Sequence, residues 1–229
     1  MKSHGMFGSK FKPEARVFVK ICGITNEPDA LVAIEAGADA LGFNLVRQSK
    51  RYIDIDAAEA WISNLPREIC KVVVTANPIF EDALWLAKLP FVDALQLHGS
   101  ESPEFCRGLA AAGLAFGKAL PVADANSLKD VPDFSTDTLI LDTASGREFG
   151  GTGKTFPWRL AREFAQKNPN FKVILAGGLN PENVASAIEQ SRLFGVDVTT
   201  GVEASPGRKD ARLVRAFVKA VWEVCGVAR

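Results

Sequence analysis

Metal-binding and redox equipment is scarce in this sequence. Only two histidines, His4 and His98, occur in 229 residues, and the four cysteines, Cys22, Cys70, Cys106 and Cys225, stand apart with no CxxC pair. That spacing excludes a zinc knuckle and a disulfide scaffold and fits free thiols in a reducing cytoplasm. No cofactor and no metal are expected. Excess charge is missing too: 27 acidic and 27 basic residues give a formal net charge of +0. A balanced chain does not hold nucleic acid through bulk electrostatics. No apolar run approaches the roughly 20 residues of a membrane-spanning helix. The opening MKSHGMFGSKFKPEAR lacks the apolar core of a secretory signal, and residues 1–15 read as a disordered extension.

Two phosphate-binding signatures are also missing. No GxGxxG follows the first apolar run, which argues against a dinucleotide-binding sheet. The stretch GREFGGTGKT, residues 146–155, ends like a P-loop, but the glycine that must open that loop is replaced by Glu148. A carboxylate there repels phosphate, and its Cβ crowds a turn built for glycine. The stretch reads as a glycine-rich loop rather than an NTPase motif. No Pro/Gly/Ser-rich linker or low-complexity segment divides the chain, so residues 16–229 form one expected domain.

What is present is rhythm. Short β-rich runs alternate with helical patterns, with strands expected at 17–22, 40–44, 71–75, 94–97, 115–119, 138–141, 172–176 and 196–199. Runs such as KVVV, TLIL and KVIL are nearly all apolar, as parallel strands covered on both faces require. Asn77-Pro78, Ser102-Pro103 and Asn180-Pro181 pair a capping residue with a proline suited to a helix start. Asn26 can cap the first helix and Gly37 can end it. Leu213, Phe217 and Val221, flanked by Val214 and Val218, form an apolar stripe on the last helix. Eight βα units in one chain predict a (β/α)8 barrel, an α/β fold with eight parallel strands, with its chemistry at the C-terminal strand ends.

Those ends carry reactive groups. Cys22 closes the first run, and Lys20, two residues earlier, points to the same side and can favour a thiolate. A small buried hydrophobe is the competing reading of the cysteine. Asp142 closes the sixth run at the rim of a dry pocket, where burial favours a protonated carboxyl able to act as an acid. Gln96 and His98 share one face of the fourth run. Gly177-Gly178 and Thr199-Thr200-Gly201 follow the seventh and eighth runs, where such barrels frequently bind phosphate, with a helix N-terminus to complete the anion site. Arg51, in SKRY, is a two-pronged donor suited to a carboxylate, or else a solvated surface arginine.

The ordered set VKICGIT (19–25), GADALGF (37–43), SKRY (49–52), LQLHG (95–99), LILDT (139–143), GGTGKTFPW (150–158), LAGGLNPENV (175–184) and VDVTTGVEASPGRKD (196–210) resembles the phosphoribosylanthranilate isomerases of tryptophan biosynthesis. The resemblance implies an Amadori rearrangement of a phosphosugar amine, without cofactor or metal. It implies Asp142 as general acid at the ring oxygen and Cys22 as general base at C2. Arg51 would pair with the anthranilate carboxylate, Asp197 would orient the substrate, and Gln96 and His98 would lie beside it. Gly177, Gly178, Thr199, Thr200 and Gly201 would bind the phosphate, and GREFGGTGKT would close as a lid. The partner is then a small phosphosugar, not nucleic acid or membrane, and a cytoplasmic monomer rather than a homodimer is expected. A histidine-pathway phosphosugar isomerase and a non-catalytic phosphate-binding barrel are the alternatives. The chain departs from the family pattern at 44–48 (Asn-Leu-Val-Arg-Gln), at Thr75, and in having Thr199-Thr200 for a serine pair.

Overall fold

The computed structural model describes Met6, residues 16–144 and residues 155–226. Eight parallel strands close into a barrel: β1 (Phe18–Cys22), β2 (Ala40–Asn44), β3 (Cys70–Thr75), β4 (Ala94–Leu97), β5 (Phe116–Val122), β6 (Thr138–Thr143), β7 (Lys172–Leu175) and β8 (Gly195–Val198). Every expected strand is present within a few residues. The largest differences are at β5 and β6, which run on together and pair Pro121 with Asp142 and Val122 with Thr143. Proline is tolerated there because the strand is ending and little is asked of its missing N–H.

Alternation along the strands sorts residues between two cores. Val19, Ile21, Leu41, Phe43, Val73, Leu95, Leu97, Leu139, Leu141, Val173, Leu175, Val196 and Val198 face outward under the helices. Phe18, Ala40, Cys70, Val72, Ala94, Ala119, Ile140 and Ile174 fill the interior together with Met6, which is 1% exposed. The rest of residues 1–15 lies outside the described residues. The interior filling is apolar toward the strand starts. The same inward parity then brings Lys20 and Cys22, Gln96 and His98, Asp142, Asp197 and Thr199 to the other end of the barrel.

Among the described residues seven helices cover the strands: α1 (Glu27–Ala36), α2 (Ile55–Ile62), α3 (Phe80–Lys88), α4 (Pro103–Ala111), α5 (Trp158–Lys167), α6 (Val184–Ser191) and α7 (Ala211–Val224). The fifth crossover is instead a 3-10 turn, Ala125–Leu128. Its polar, proline-containing sequence has no apolar stripe to bury, so a full helix would gain little by packing there. Asn26 caps α1 as expected, accepting from Asp29 N at 3.0 Å, and Ser102 caps α4, accepting from Phe105 N at 3.2 Å. Gly37 ends α1 at φ +100°; a Cβ there would lie 2.2 Å from the Trp222 ring. On α7, Val214, Phe217, Val218, Val221 and Trp222 are buried, while Leu213 is half-buried.

Two expected caps are corrected. Asn77 does not start a helix: α3 begins at Phe80, and Asn77 adopts φ +51° while its Oδ1 accepts from Ser100 N at 2.7 Å. Asn180 caps a turn, accepting from Glu182 N and Asn183 N at 3.0 Å, and α6 starts only at Val184. In both places the asparagine finds a nearer backbone donor than a helix offers. After β8 the chain adds a hairpin, β9 (Glu203–Ser205) and β10 (Arg208–Lys209), turning at Gly207 with φ +81°.

Candidate active site

The strand ends open into one cleft of about 810 Å³, counted out into solvent and lined among others by Cys22, Arg51, Gln96, His98, Asp142, Gly177, Gly178, Asp197, Thr199 and Thr200. Ten of the eleven expected site residues therefore meet in one place. Gly201 is the exception: a Cβ on it would lie 1.9 Å from Leu179 O, so it packs against the loop after β7 instead.

Cys22 is 8% exposed and reaches the cleft floor. A Cβ placed on Gly42, its partner in β2, would sit 2.6 Å from the sulfur, so the glycine makes room for the thiol. Burial pushes the thiol pKa up, and the nearby Lys20 charge works against that rise without cancelling it. Lys20 is fully buried, and its Nζ donates to Asp197 Oδ2 at 2.8 Å. Burial opposes its charge, but Asp197 and Cys22 outweigh burial and drive its pKa up, so it stays an ammonium. Asp197 Oδ1 is buried with no partner among the described residues, an acceptor pointing to a donor from outside.

Across the mouth stands Asp142. It keeps 17% side-chain exposure rather than lying in the dry surroundings expected, and its Oδ2 is 3.3 Å from His98 Nε2. Gln96 Nε2 lies 3.0 Å from His98 Nδ1, which leaves Nε2 as the ring nitrogen that faces Asp142. The triad Gln96–His98–Asp142 was not legible as a unit, although the shared face of Gln96 and His98 was.

Arg51 is not a solvated arginine. Its Nε and Nη2 donate to Glu203 Oε1 and Oε2 at 2.9 and 2.7 Å. Glu203 also accepts from Lys209 Nζ at 3.3 Å and Gly207 N at 3.2 Å. Burial alone would raise the Glu203 pKa, but the Arg51 hydrogen bonds and the Lys209 charge bring it below the ordinary carboxylate value. Sequence reasoning missed Glu203 and Lys209. The Pro206-Gly207 pair between them signals the hairpin that aims both at the mouth. The unusual 44–48 stretch supports this arrangement: Asn44 Oδ1 accepts from Val46 N at 2.8 Å and its Nδ2 donates to Ser49 Oγ at 3.2 Å. Ser49 Oγ in turn accepts from Arg51 N at 3.1 Å.

The loop after β7 is glycine backbone. Gly177 and Gly178 have φ of +84° and +68°. A Cβ on Gly177 would lie 2.5 Å from Thr143 N and 2.6 Å from Asp142 Oδ1, so only glycine lets this loop lie against the end of β6. Asn183 Nδ2 donates to Gly178 O at 2.9 Å and fixes the loop. The expected helix N-terminus is only a three-residue 3-10 turn, Thr200–Val202. The glycine-rich 146–155 segment, apart from Thr155, lies outside the described residues. Among the described residues no three His, Cys, Asp or Glu side chains come together as metal ligands would.

The arrangement offers a thiol and a carboxyl group in one cleft, which Arg51 and the Gly177-Gly178 loop also line. Such a site can move protons within one bound anion. Residues 19–220 match the family model described as N-(5'phosphoribosyl)anthranilate (PRA) isomerase. The chain is 42% identical over 205 residues to N-(5'-phosphoribosyl)anthranilate isomerase of Pelobacter propionicus, covering 90% of this chain and 95% of that one. The crystal structure of phosphoribosyl anthranilate isomerase from Thermotoga maritima matches with TM-score 0.83 at 41% identity, covering 90% of this chain and 99% of that chain. A phosphoribosyl anthranilate isomerase in complex with reduced 1-(o-carboxyphenylamino)-1-deoxyribulose 5-phosphate matches with TM-score 0.79 at 38% identity, with the same coverage. With matching architecture, 42% identity to a curated relative and a family model that spans nearly all of the barrel, this chain belongs to the phosphoribosylanthranilate isomerase family.

Proposed function

We propose that this protein converts N-(5-phosphoribosyl)anthranilate to 1-(2-carboxyphenylamino)-1-deoxyribulose 5-phosphate, the Amadori step of tryptophan biosynthesis. The observation that carries the reading is that Cys22 and Asp142 line one cleft together with Arg51 and the Gly177-Gly178 loop.

Asp142 is the general acid. It gives its proton to the ribose ring oxygen as the C1–O bond breaks, leaving an iminium between C1 and the anthranilate nitrogen. His98, held by Gln96, fixes the carboxyl group. Cys22, as thiolate, then takes the C2 proton; the C–H electron pair becomes the C1–C2 double bond and the iminium electrons return to nitrogen. The enolamine tautomerises to the ketone. Asp197 Oδ1, the orphaned acceptor, takes a hydrogen bond from a sugar hydroxyl. Arg51 meets the anthranilate carboxylate through Nη1, because Glu203 already occupies Nε and Nη2. The phosphate lies on the amides of Gly177-Gly178 and at Thr199-Thr200, whose hydroxyls replace a serine pair without loss of donors.

Substrate generated in the cuvette tests this through anthranilate fluorescence. Decay that requires the protein is expected; saturable binding without decay would make the barrel a ligand-binding protein instead. The reading includes a monomer in the cytoplasm. Free thiols at all four cysteines support the compartment. Among the described residues, Leu31, Ile79 and Trp85 are the large exposed apolar side chains, which supports a monomer. Sedimentation at twice 24.6 kDa would overturn the latter.

A further inference from the structure

The buried ion pair beneath the thiol has no structural need to be there. Desolvating two charges costs several kcal/mol per ion, and well-packed apolar residues often replace such pairs without loss of stability. One layer below, the interior is filled by Phe18, Ala40, Val72, Ala94, Ile140 and Ile174, and an apolar pair would continue that filling. Yet β1 places a fully buried lysine there and β8 places an aspartate directly opposite, in register across the seam where the first and last strands close the barrel.

Register gives the pair its aim. Lys20 faces Asp197 on one side, and Cys22 faces Gly42 on the other. The point where a Gly42 Cβ would stand lies 2.6 Å from Cys22 Sγ and 3.1 Å from Lys20 Nζ. Sulfur and ammonium therefore share the space that glycine leaves open, and the ammonium hydrogen-bonds to Asp197. The pair is a fixed dipole with its positive end in the space beside the sulfur.

We propose that Lys20 is the positioning residue that makes the Cys22 thiol usable as a base, with Asp197 holding the ammonium in place. This rests on the reading of Cys22 as the C2 base. In the free protein the thiol proton leaves to solvent through the mouth, and a Lys20 N–H donates to the thiolate that remains. When the thiolate takes the C2 proton it becomes a neutral thiol, and Lys20 keeps all of its protons throughout. The other charges around the sulfur are Arg51 from the loop after β2, Lys209 from the hairpin, and Asp142 with His98 across the mouth. Of these, Lys209 is held by Thr199 O and Glu203 and Arg51 by Glu203, so neither is delivered to the sulfur as Lys20 is.

The test is alkylation of Cys22 by iodoacetamide against pH, read by mass spectrometry of its peptide, in wild type, Lys20→Met, and Lys20→Met combined with Asp197→Asn, which strands no carboxylate. The alkylation midpoint should rise by about one unit or more in Lys20→Met, and by less in the double variant, because the Asp197 charge it also removes opposes the thiolate. In Lys20→Met kcat at neutral pH should fall roughly tenfold or more, with KM little changed. An unmoved midpoint in folded Lys20→Met, or no rise in the double variant where the single variant does not fold, overturns the proposal, whatever happens to turnover. A second measurement needs no Lys20 variant: the 15N resonance of Lys20 Nζ should titrate with the Cys22 midpoint in wild type and stay flat in Cys22→Ser. A flat wild-type resonance also overturns it. If the midpoint moves as expected but wild type shows no isomerase activity, the electrostatic role stands and the proposed reaction fails.

Discussion

Side-chain parity explains most of what could be read at the residue scale. A strand that buries Val19 and Ile21 outward must send Lys20 and Cys22 inward, and the same count places Gln96 with His98 and brings Asp197 inward. What parity cannot give is partner choice across strands. The 3.3 Å contact of His98 with Asp142 joins the loop after β4 to β6, and the bond from Arg51 to Glu203 spans 152 positions of chain, so neither has a local signature. If the acid–base assignment is right, Cys22→Ser and Asp142→Asn should each lower kcat by roughly 10²–10⁴-fold while circular dichroism stays unchanged. The sign of the pH dependence follows from the buried thiol. Its pKa is raised in the free protein, so the thiolate fraction, and with it kcat/KM, should climb through a midpoint above that of an ordinary thiol. Gly42→Ala is a sharper probe. The added methyl would lie 2.6 Å from the sulfur, and neither strand backbone can yield cheaply. Steady-state kinetics should show kcat falling at least as far as for Cys22→Ser, accompanied by a loss of about 1–3 kcal/mol in urea unfolding.

At the scale of the element, strands were legible and loop braces were not. Continuous apolar runs have few uses other than a strand covered on both faces, whereas an asparagine before a proline has several. Asn77 illustrates this. It braces the loop after β3 against the loop after β4, where its N–H donates to Glu101 at 2.8 Å. Glu101 also accepts from Gly99 N at 3.1 Å and pairs with Lys118 Nζ at 2.9 Å, with both charged side chains almost wholly buried. Lys118 Nζ further donates to Gly99 O at 2.7 Å, so the loop that carries His98 is clamped from below. Removing one charge leaves the other buried alone. Lys118→Met should therefore destabilise the fold by roughly 3–5 kcal/mol, read as a lower urea midpoint. Replacing Glu101 by Gln in the same chain should recover much of that loss. Equal stability for Lys118→Met and wild type would mean that the clamp carries no strain on behalf of His98.

For the molecule as a whole, the cleft is assembled from both ends of the chain. Closure pairs β1 with β8, and only then do Cys22, the Lys20–Asp197 pair and the Thr199-Thr200 turn come together. The loops after β7 and β8 also depend on the closed ring, because Gly177 rests on Asp142 and Gly201 on Leu179. Local opening of this end of the barrel would dismantle the proposed anion site, so an anion bound there should oppose unfolding of the entire domain. Inorganic phosphate at about a hundred times its dissociation constant should add about 2.7 kcal/mol. That gain should appear as a higher Tm than in chloride of equal ionic strength. Gly177→Ala separates this linkage from a general salt effect. Its methyl would press on Thr143 N and force a side chain into a φ of +84°, which displaces the amides of the proposed phosphate site. The variant should start from a lower Tm and show no phosphate-specific rise. An equal rise in both proteins would place the phosphate elsewhere on the barrel and remove the anchor on which the proposed substrate orientation depends.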